Sequence, residues 1–120
     1  MLINFIPSGD TYIAHIVSDD IVMHTAEEAA EILMNCSYQG ADSMIVHEHN
    51  LSADFFDLKT RLAGDILQKF STYRGRLAIV GDFTKYDSNS LRDFIFESNK
   101  GRRINFVATM AEAEDALAKL

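Results

Sequence analysis

Apolar residues follow two rhythms along this chain, and they alternate. Residues 2 to 6 and 11 to 17 are β-rich runs separated by Pro7-Ser8-Gly9-Asp10, residue types that suit a turn, so they predict an antiparallel hairpin. Ser18-Asp19-Asp20 interrupts the second run and Ile21-Val22-Met23 resumes it. Thr25-Ala26-Glu27-Glu28 then has the spacing of a capping box. A helix is expected from about Thr25, with Ala26, Ala29, Ala30 and Leu33 on one face and Gly40 as its stop.

Met44-Ile45-Val46 predicts a short buried strand that runs into the polar cluster His47-Glu48-His49-Asn50. Ser52 can cap a turn carrying Phe55-Phe56-Asp57. Leu58, Leu62, Ile66 and Phe70, with Ala63 and Leu67 beside them, form a stripe that predicts the longest helix, ended by Tyr73-Arg74-Gly75. The unbroken apolar run Leu77 to Val80, stopped by Gly81-Asp82, predicts a strand covered on both faces and central in its sheet. After a loop, Ser90-Leu91-Arg92-Asp93 resembles a helix start, with Leu91, Phe94 and Ile95 inside and Lys100-Gly101 as the close. Ile104 to Val107 is the last strand, and Thr109-Met110-Ala111-Glu112 opens a terminal helix lined by Met110, Ala113, Leu117 and Leu120.

Strand and helix alternate from about residue 42 onward, so those strands are expected to be parallel and joined by right-handed crossovers. The expected fold is α/β: a mixed sheet of about five strands, an N-terminal antiparallel hairpin followed by parallel βαβαβα, with packed helices. The 120 residues, 48% of them apolar, fit one domain over residues 1–120 with a real core. Charge breaks every apolar run well short of the ~20 residues a membrane helix needs. Met1-Leu2-Ile3-Asn4 has neither the basic start nor the cleavage site of a signal peptide. A lone Cys36 forms no disulfide framework, which fits a cytoplasmic setting and a buried, inert thiol. The net charge of −7 opposes broad nucleic-acid binding, and neither a dinucleotide fingerprint nor a P-loop lysine calls for a cofactor.

Two stretches carry a family resemblance. The first runs from Cys36-Ser37-Tyr38-Gln39-Gly40-Ala41-Asp42 through Phe55-Phe56-Asp57-Leu58-Lys59-Thr60. The second runs from Leu77-Ala78-Ile79-Val80-Gly81-Asp82-Phe83 through Ser90-Leu91-Arg92-Asp93-Phe94-Ile95-Phe96-Glu97-Ser98-Asn99-Lys100-Gly101. By these the chain resembles a small bacterial family catalogued only as a domain of unknown function. More distantly, the layout resembles the STAS domains typified by the anti-sigma-factor antagonist of sporulation. That resemblance implies a STAS-like mixed sheet and a history of protein–protein switching. It also implies a phosphorylated Ser beside an Asp at a helix start. By element order that pair falls here at Asp57-Leu58, so the hydroxyl is missing, and Ser52 and Thr60 stand nearby but not at the matching step.

Ligands of open sheets with parallel strands favour the crevice beyond the strands' C-terminal ends. That rim is expected to gather His47, Glu48, His49, Asp57, Lys59, Asp82 and Lys85 as a candidate ligand site. Were the strand to persist, His47 and His49 would face one way and, with Asp57 or Asp82, would suit a divalent metal. The plainer alternative is that these groups cap turns and face water. At the opposite rim Arg74 and Arg76 precede one strand and Lys100, Arg102 and Arg103 the next, five of the eleven basic residues. They would suit an anion or an acidic partner, or else complement helix C-termini. Among loop aromatics, Tyr73, Phe83 and Tyr86 mark either an interface or satellite packing. The residues thus present no complete catalytic set. They favour a regulatory or protein-binding module, acting with a partner protein or as a homodimer, over a small-ligand protein or enzyme at the polar rim.

Overall fold

A computed structural model describes residues 1–118, so Leu120 of the expected terminal stripe lies outside the described residues. The sheet runs in sequential order: β1 (Leu2–Ser8), β2 (Thr11–Val17), β3 (Ala41–His47), β4 (Arg76–Val80) and β5 (Ile104–Val107). β1 pairs antiparallel with β2, and every later neighbour is parallel. The mixed sheet expected from the alternation of strand and helix is therefore present. β3 is its middle strand, and β4 is not. An unbroken apolar run reports cover on both faces rather than centrality, and Leu77, Ala78 and Ile79 are fully buried from both sides.

The helices are α1 (Ala26–Tyr38), α2 (Leu62–Thr72), α3 (Asn89–Gly101) and α4 (Met110–Ala118). Right-handed crossovers in a sequentially ordered sheet put α1, α2 and α3 on one face. There Leu33, Phe70, Ile66 and Phe94 close over Met44, Val46, Leu77, Ile79 and Phe106. α4 covers the other face with Ala113 and Leu117 on Ile45 and Ala78. It lies over β4 and β5, leaving the ends of β1, β2 and β3 on that face open.

Local signals decided most of the element boundaries. Thr25 Oγ1 accepts from Glu28 N–H at the start of α1, and Thr109 Oγ1 accepts from Glu112 N–H at the start of α4, as the capping patterns require. Gly9-Asp10 turns the hairpin with Gly9 at φ +62°, a left-handed conformation that costs glycine no steric penalty.

Four local expectations fail. Residues 21–23 make no strand, only a single bridge from Met23 to Leu51, because β2 ends at Val17 and Ser18–Asp20 turns the chain away. The stripe beginning at Leu58 is not one long helix. Two 3-10 turns, Ala53–Phe56 and Leu58–Thr60, precede α2, which starts only at Leu62 and has 11 residues against 13 in α1 and α3. Thr60 Oγ1 donates back to the Asp54 and Asp57 carbonyls, and Arg61 then adopts φ +69°, which no continuing helix permits. α3 begins earlier than expected because Ser88, whose Oγ accepts from Leu91 N–H, is its cap. At its end the left-handed residue is Arg102 rather than Gly101.

Candidate functional site

The C-terminal rim is built where β3 and β4 end side by side, His47 opposite Val80. After His47 the chain folds into a 3-10 turn, Glu48–Asn50, pinned by the fully buried Asn50. Its side chain accepts from His47 N–H at 2.9 Å and donates to the Ser18 carbonyl at 2.9 Å and the Asp20 carbonyl at 2.8 Å. One amide therefore ties the β3 exit to the β2 exit.

This turn sends Glu48 toward β4. Glu48 Oε2 meets Lys85 Nζ at 2.7 Å and accepts from Tyr86 Oη at 2.5 Å. Burial, then the bond to and the charge of Glu48, push the Tyr86 phenol far above its ordinary pKa. Gly81 makes room for the carboxylate: a Cβ there would lie 2.7 Å from Glu48 Cβ. The result is a cleft of about 470 Å³ whose walls include His47, Glu48, His49, Phe56, Lys85 and Tyr86.

Of the seven residues expected at this rim, the cleft gathers His47, Glu48, His49 and Lys85. Asp57 instead caps its own turn through Lys59 N–H, and Lys59 is exposed there. Asp82 accepts from Thr84 N–H and Thr84 Oγ1, which hold its carboxyl below the usual range. The expected pairing of two imidazoles with an acid does not form, because β3 stops at His47 and both acids are drawn into adjacent turns. Among the described residues no group of three or more His, Cys, Asp or Glu side chains is disposed to hold a metal ion.

His47 has a different companion. His15, on β2, faces the same side of the sheet, with Nε2 3.1 Å from His47 Nε2. The ring centres are 5.3 Å apart, so the rings meet nearly end to end, as an N–H···N bond requires. One ring donates and the other accepts, so they hold opposite tautomers. His49 stacks on His47 with ring centres 5.6 Å apart and donates from Nε2 to the Ser18 carbonyl. Burial chiefly lowers the pKa of both His15 and His47. The neighbouring histidines add to this at His47, and Glu114 opposes it at His15.

A larger groove lies beside this cleft, beyond the ends of β4 and β5. It measures about 1030 Å³ and is walled by Phe83, Ile95, Phe96, Phe106 and Val107, with Arg92 among its polar residues. Phe96 is 63% exposed, which is unusual for a ring of its size. Arg92, Phe96 and Lys100 recur every fourth residue, so they form one stripe of α3, and Lys100 Nζ sits 5.3 Å over the Phe96 ring. Among the described residues Arg92 bonds only neutral oxygens, Asn89 Oδ1 at 3.3 Å and the Tyr86 carbonyl at 3.4 Å. Asp82 and Glu112, the acids of the groove, are each bonded to their own turns.

At the opposite rim the arginines do converge. Burial first, and then the Arg102 and Arg103 cations, lower the Arg76 pKa. Arg76 and Arg103 use donors within the fold. Arg76 donates to the Arg102, Ala116 and Leu117 carbonyls and so caps the C-terminal turn of α4, while Arg103 donates to the Gly75 carbonyl behind α2. Arg74 lines a cleft with Asp10 and Asp42, and Lys100 lies on Phe96.

Sequence reasoning missed His15 and the α3 stripe, and it named Asn50 and Tyr86 without the bonds that make them part of the rim. The every-fourth spacing of Arg92, Phe96 and Lys100 was there to be read. His15 carried no signal until the β2–β3 register set it beside His47.

The model of a family described as a domain of unknown function (DUF4180) matches residues 8–117. No curated protein matches the chain. A crystal structure of a Thermotoga maritima protein, provisionally described as an anti-sigma factor antagonist, is similar at 15% identity and a TM-score of 0.48. The similarity covers 94% of this chain and 92% of that one.

Proposed function

The chain belongs to that family, whose description assigns no activity, and we propose from geometry alone that it is a regulatory binding module. Its α3 groove receives an acidic, amphipathic segment of a partner protein. The observation that carries this is the stripe Arg92–Phe96–Lys100 beside an apolar trough: an exposed ring between two cations, of which Arg92 has no acidic partner among the described residues.

Each part of the stripe has a role in recognition. An exposed aromatic gives a partner's apolar side chain area to cover, and Arg and Phe at the centre of a contact carry much of its energy. A guanidinium held by long bonds to neutral oxygens gives up little when a carboxylate replaces them in a bidentate fork. A helix laying apolar residues at i, i+3 or i+4 into the trough, with an Asp or Glu on either side, would match the stripe in both spacing and sign.

Selection from a displayed library of random helical peptides tests this. Enrichment of Leu, Ile or Phe at helical spacing with flanking Asp or Glu is expected. Arg92→Glu and Phe96→Ser should each weaken the selected peptides by about tenfold or more while leaving the melting temperature unchanged. Peptides that bind both variants as tightly would refute the reading. So would a groove that takes an aliphatic carboxylate such as dodecanoate but no peptide.

A further inference from the structure

The two edges of the sheet are treated in opposite ways. β5 is shielded: Asn99 of α3 reaches around it and behaves like a neighbouring strand, accepting from Phe106 N–H at 2.7 Å and donating to the Phe106 carbonyl at 3.3 Å. The next free donor, Ala108 N–H, is taken by Glu112 Oε1 at 2.9 Å. Proteins shield edges because a row of unpaired main-chain groups is a template for another strand.

β1 has no such cover. Tyr12 N–H donates to the Gly40 carbonyl on the β3 side, and Tyr12 is the register partner of Pro7. The pairs Pro7–Tyr12, Phe5–Ala14 and Ile3–Ile16 are therefore the non-hydrogen-bonded ones of the β1–β2 ladder. Ile3, Phe5 and Pro7 turn their main-chain groups outward. This explains how a proline sits inside a strand, since it lacks only a donor that β2 would not use. Among the described residues no side chain or main chain bonds those outward groups. Leu2–Ser8 carries no charged side chain and no lysine guard, and its first residue Leu2 and the adjoining Met1 are 60% and 70% exposed.

We infer that β1 pairs antiparallel with β1 of a second copy of this chain, across a two-fold axis at Asn4, joining the two sheets into one. In that register each Ile3 exchanges both main-chain bonds with the partner's Phe5, so every intact outward amide from Ile3 to Phe5 is used. A register centred on Phe5 sets Ile3 opposite the partner's Pro7, which has no donor to return. On the histidine-bearing face Asn4 meets the partner's Asn4, an amide that is its own hydrogen-bond complement, and exposed Leu2 comes to lie against the partner's Ile6. On the face covered by α1, α2 and α3, Ile3 and Phe5 extend the apolar layer from one copy to the next. A two-fold contact must be self-complementary, and a short strand of uncharged side chains with Asn4 on the axis satisfies that requirement.

Sedimentation equilibrium, amide exchange and one variant test the pairing in the full chain. A reversible dimer is expected, with the Ile3 and Phe5 amides protected and exchanging faster on dilution. Asn4 is exposed in the single copy, so Asn4→Asp should leave the melting temperature of the dilute protein unchanged. It sets like charges face to face across the axis and should raise the dimer Kd by about tenfold or more. A protein that stays monomeric at NMR concentrations would overturn the inference. So would a dimer in which the Ile3 and Phe5 amides exchange freely and Asn4→Asp has no effect.

Discussion

Removing the side chain of Asn50 tests how the rim is held. The amide is fully buried and makes three bonds, at 2.9, 2.9 and 2.8 Å, to the main chain of His47, Ser18 and Asp20. At about 1 kcal/mol net for each bond, Asn50→Ala should cost about 3 kcal/mol, a large share of the roughly 5–15 kcal/mol that holds a domain folded. The stranded His47 N–H and the Ser18 and Asp20 carbonyls push the cost upward, and any water entering the space pulls it down. Asn50→Asp separates the amide's chemistry from its shape. The volume stays and the acceptor toward His47 N–H stays, but a carboxylate then faces two carbonyls that had received N–H donors. It should cost more than alanine, since an unpaired buried charge is worse than a missing bond. Urea unfolding at neutral pH, with m compared across the three proteins, measures both. An Asn50→Ala loss under about 1 kcal/mol, or an aspartate variant more stable than the alanine one, would refute the reasoning.

Acid stability should report on the histidine pair. Burial holds His15 and His47 below the ordinary imidazole pKa, so the unfolded chain takes up protons on them at a higher pH than the folded chain does. Their contribution is therefore fully present above about pH 6.5 and is lost as pH falls through that value toward the folded pKa values. Glu114 on α4 softens the loss at His15, and His49 sharpens it at His47. His15→Gln with His47→Gln should flatten the fall in melting temperature between about pH 7 and 5, and an unchanged slope would contradict the assignment. Asn99→Ala removes both shielding bonds from Phe106 and should cost about 1–2 kcal/mol. It should also speed exchange at the Phe106 amide and add concentration-dependent association in sedimentation velocity. A variant whose Phe106 amide stays protected would show that α3 shields β5 by some other contact.

How much could be read in advance follows from the range over which each signal acts. Capping residues and turn types act over three or four positions. Thr25, Ser52, Thr109 and the Gly9-Asp10 turn were legible for that reason. Strand order was nearly legible, because alternating strands and helices leave few right-handed solutions. The stripe from Leu58 misled because periodicity marks a buried face without saying that the backbone between its members is helical. Thr60 and Arg61 break it with hydrogen bonds and a dihedral that hydrophobicity does not encode. At the rim, residue type was legible but direction was not. Asp57 and Asp82 each had a main-chain donor two residues on, and a local bond of that kind wins over a distant partner because it costs almost no added order. His15 pairs with His47 across 32 positions, which only the register can supply.

The same competition explains which surfaces are left for contact. A parallel sheet offers its C-terminal crevice to ligands, and here Tyr86 and Lys85 bind Glu48 in one part of it, His47 and His49 stack on the side toward β2, and the groove beyond β4 and β5 stays open. At the opposite rim Arg76 and Arg103 spend donors on carbonyls at helix ends. What stays available among the described residues is a guanidinium held by neutral oxygens alone, an exposed ring beside it on α3, and the outward amides of β1, a row that another strand can pair. A side chain can satisfy one or two main-chain groups, as Asn99 does for Phe106, but not a strand's whole row. Shielding β5 and leaving β1 bare restricts further pairing to one edge, and a two-fold contact at that edge closes on itself instead of growing into a fibre.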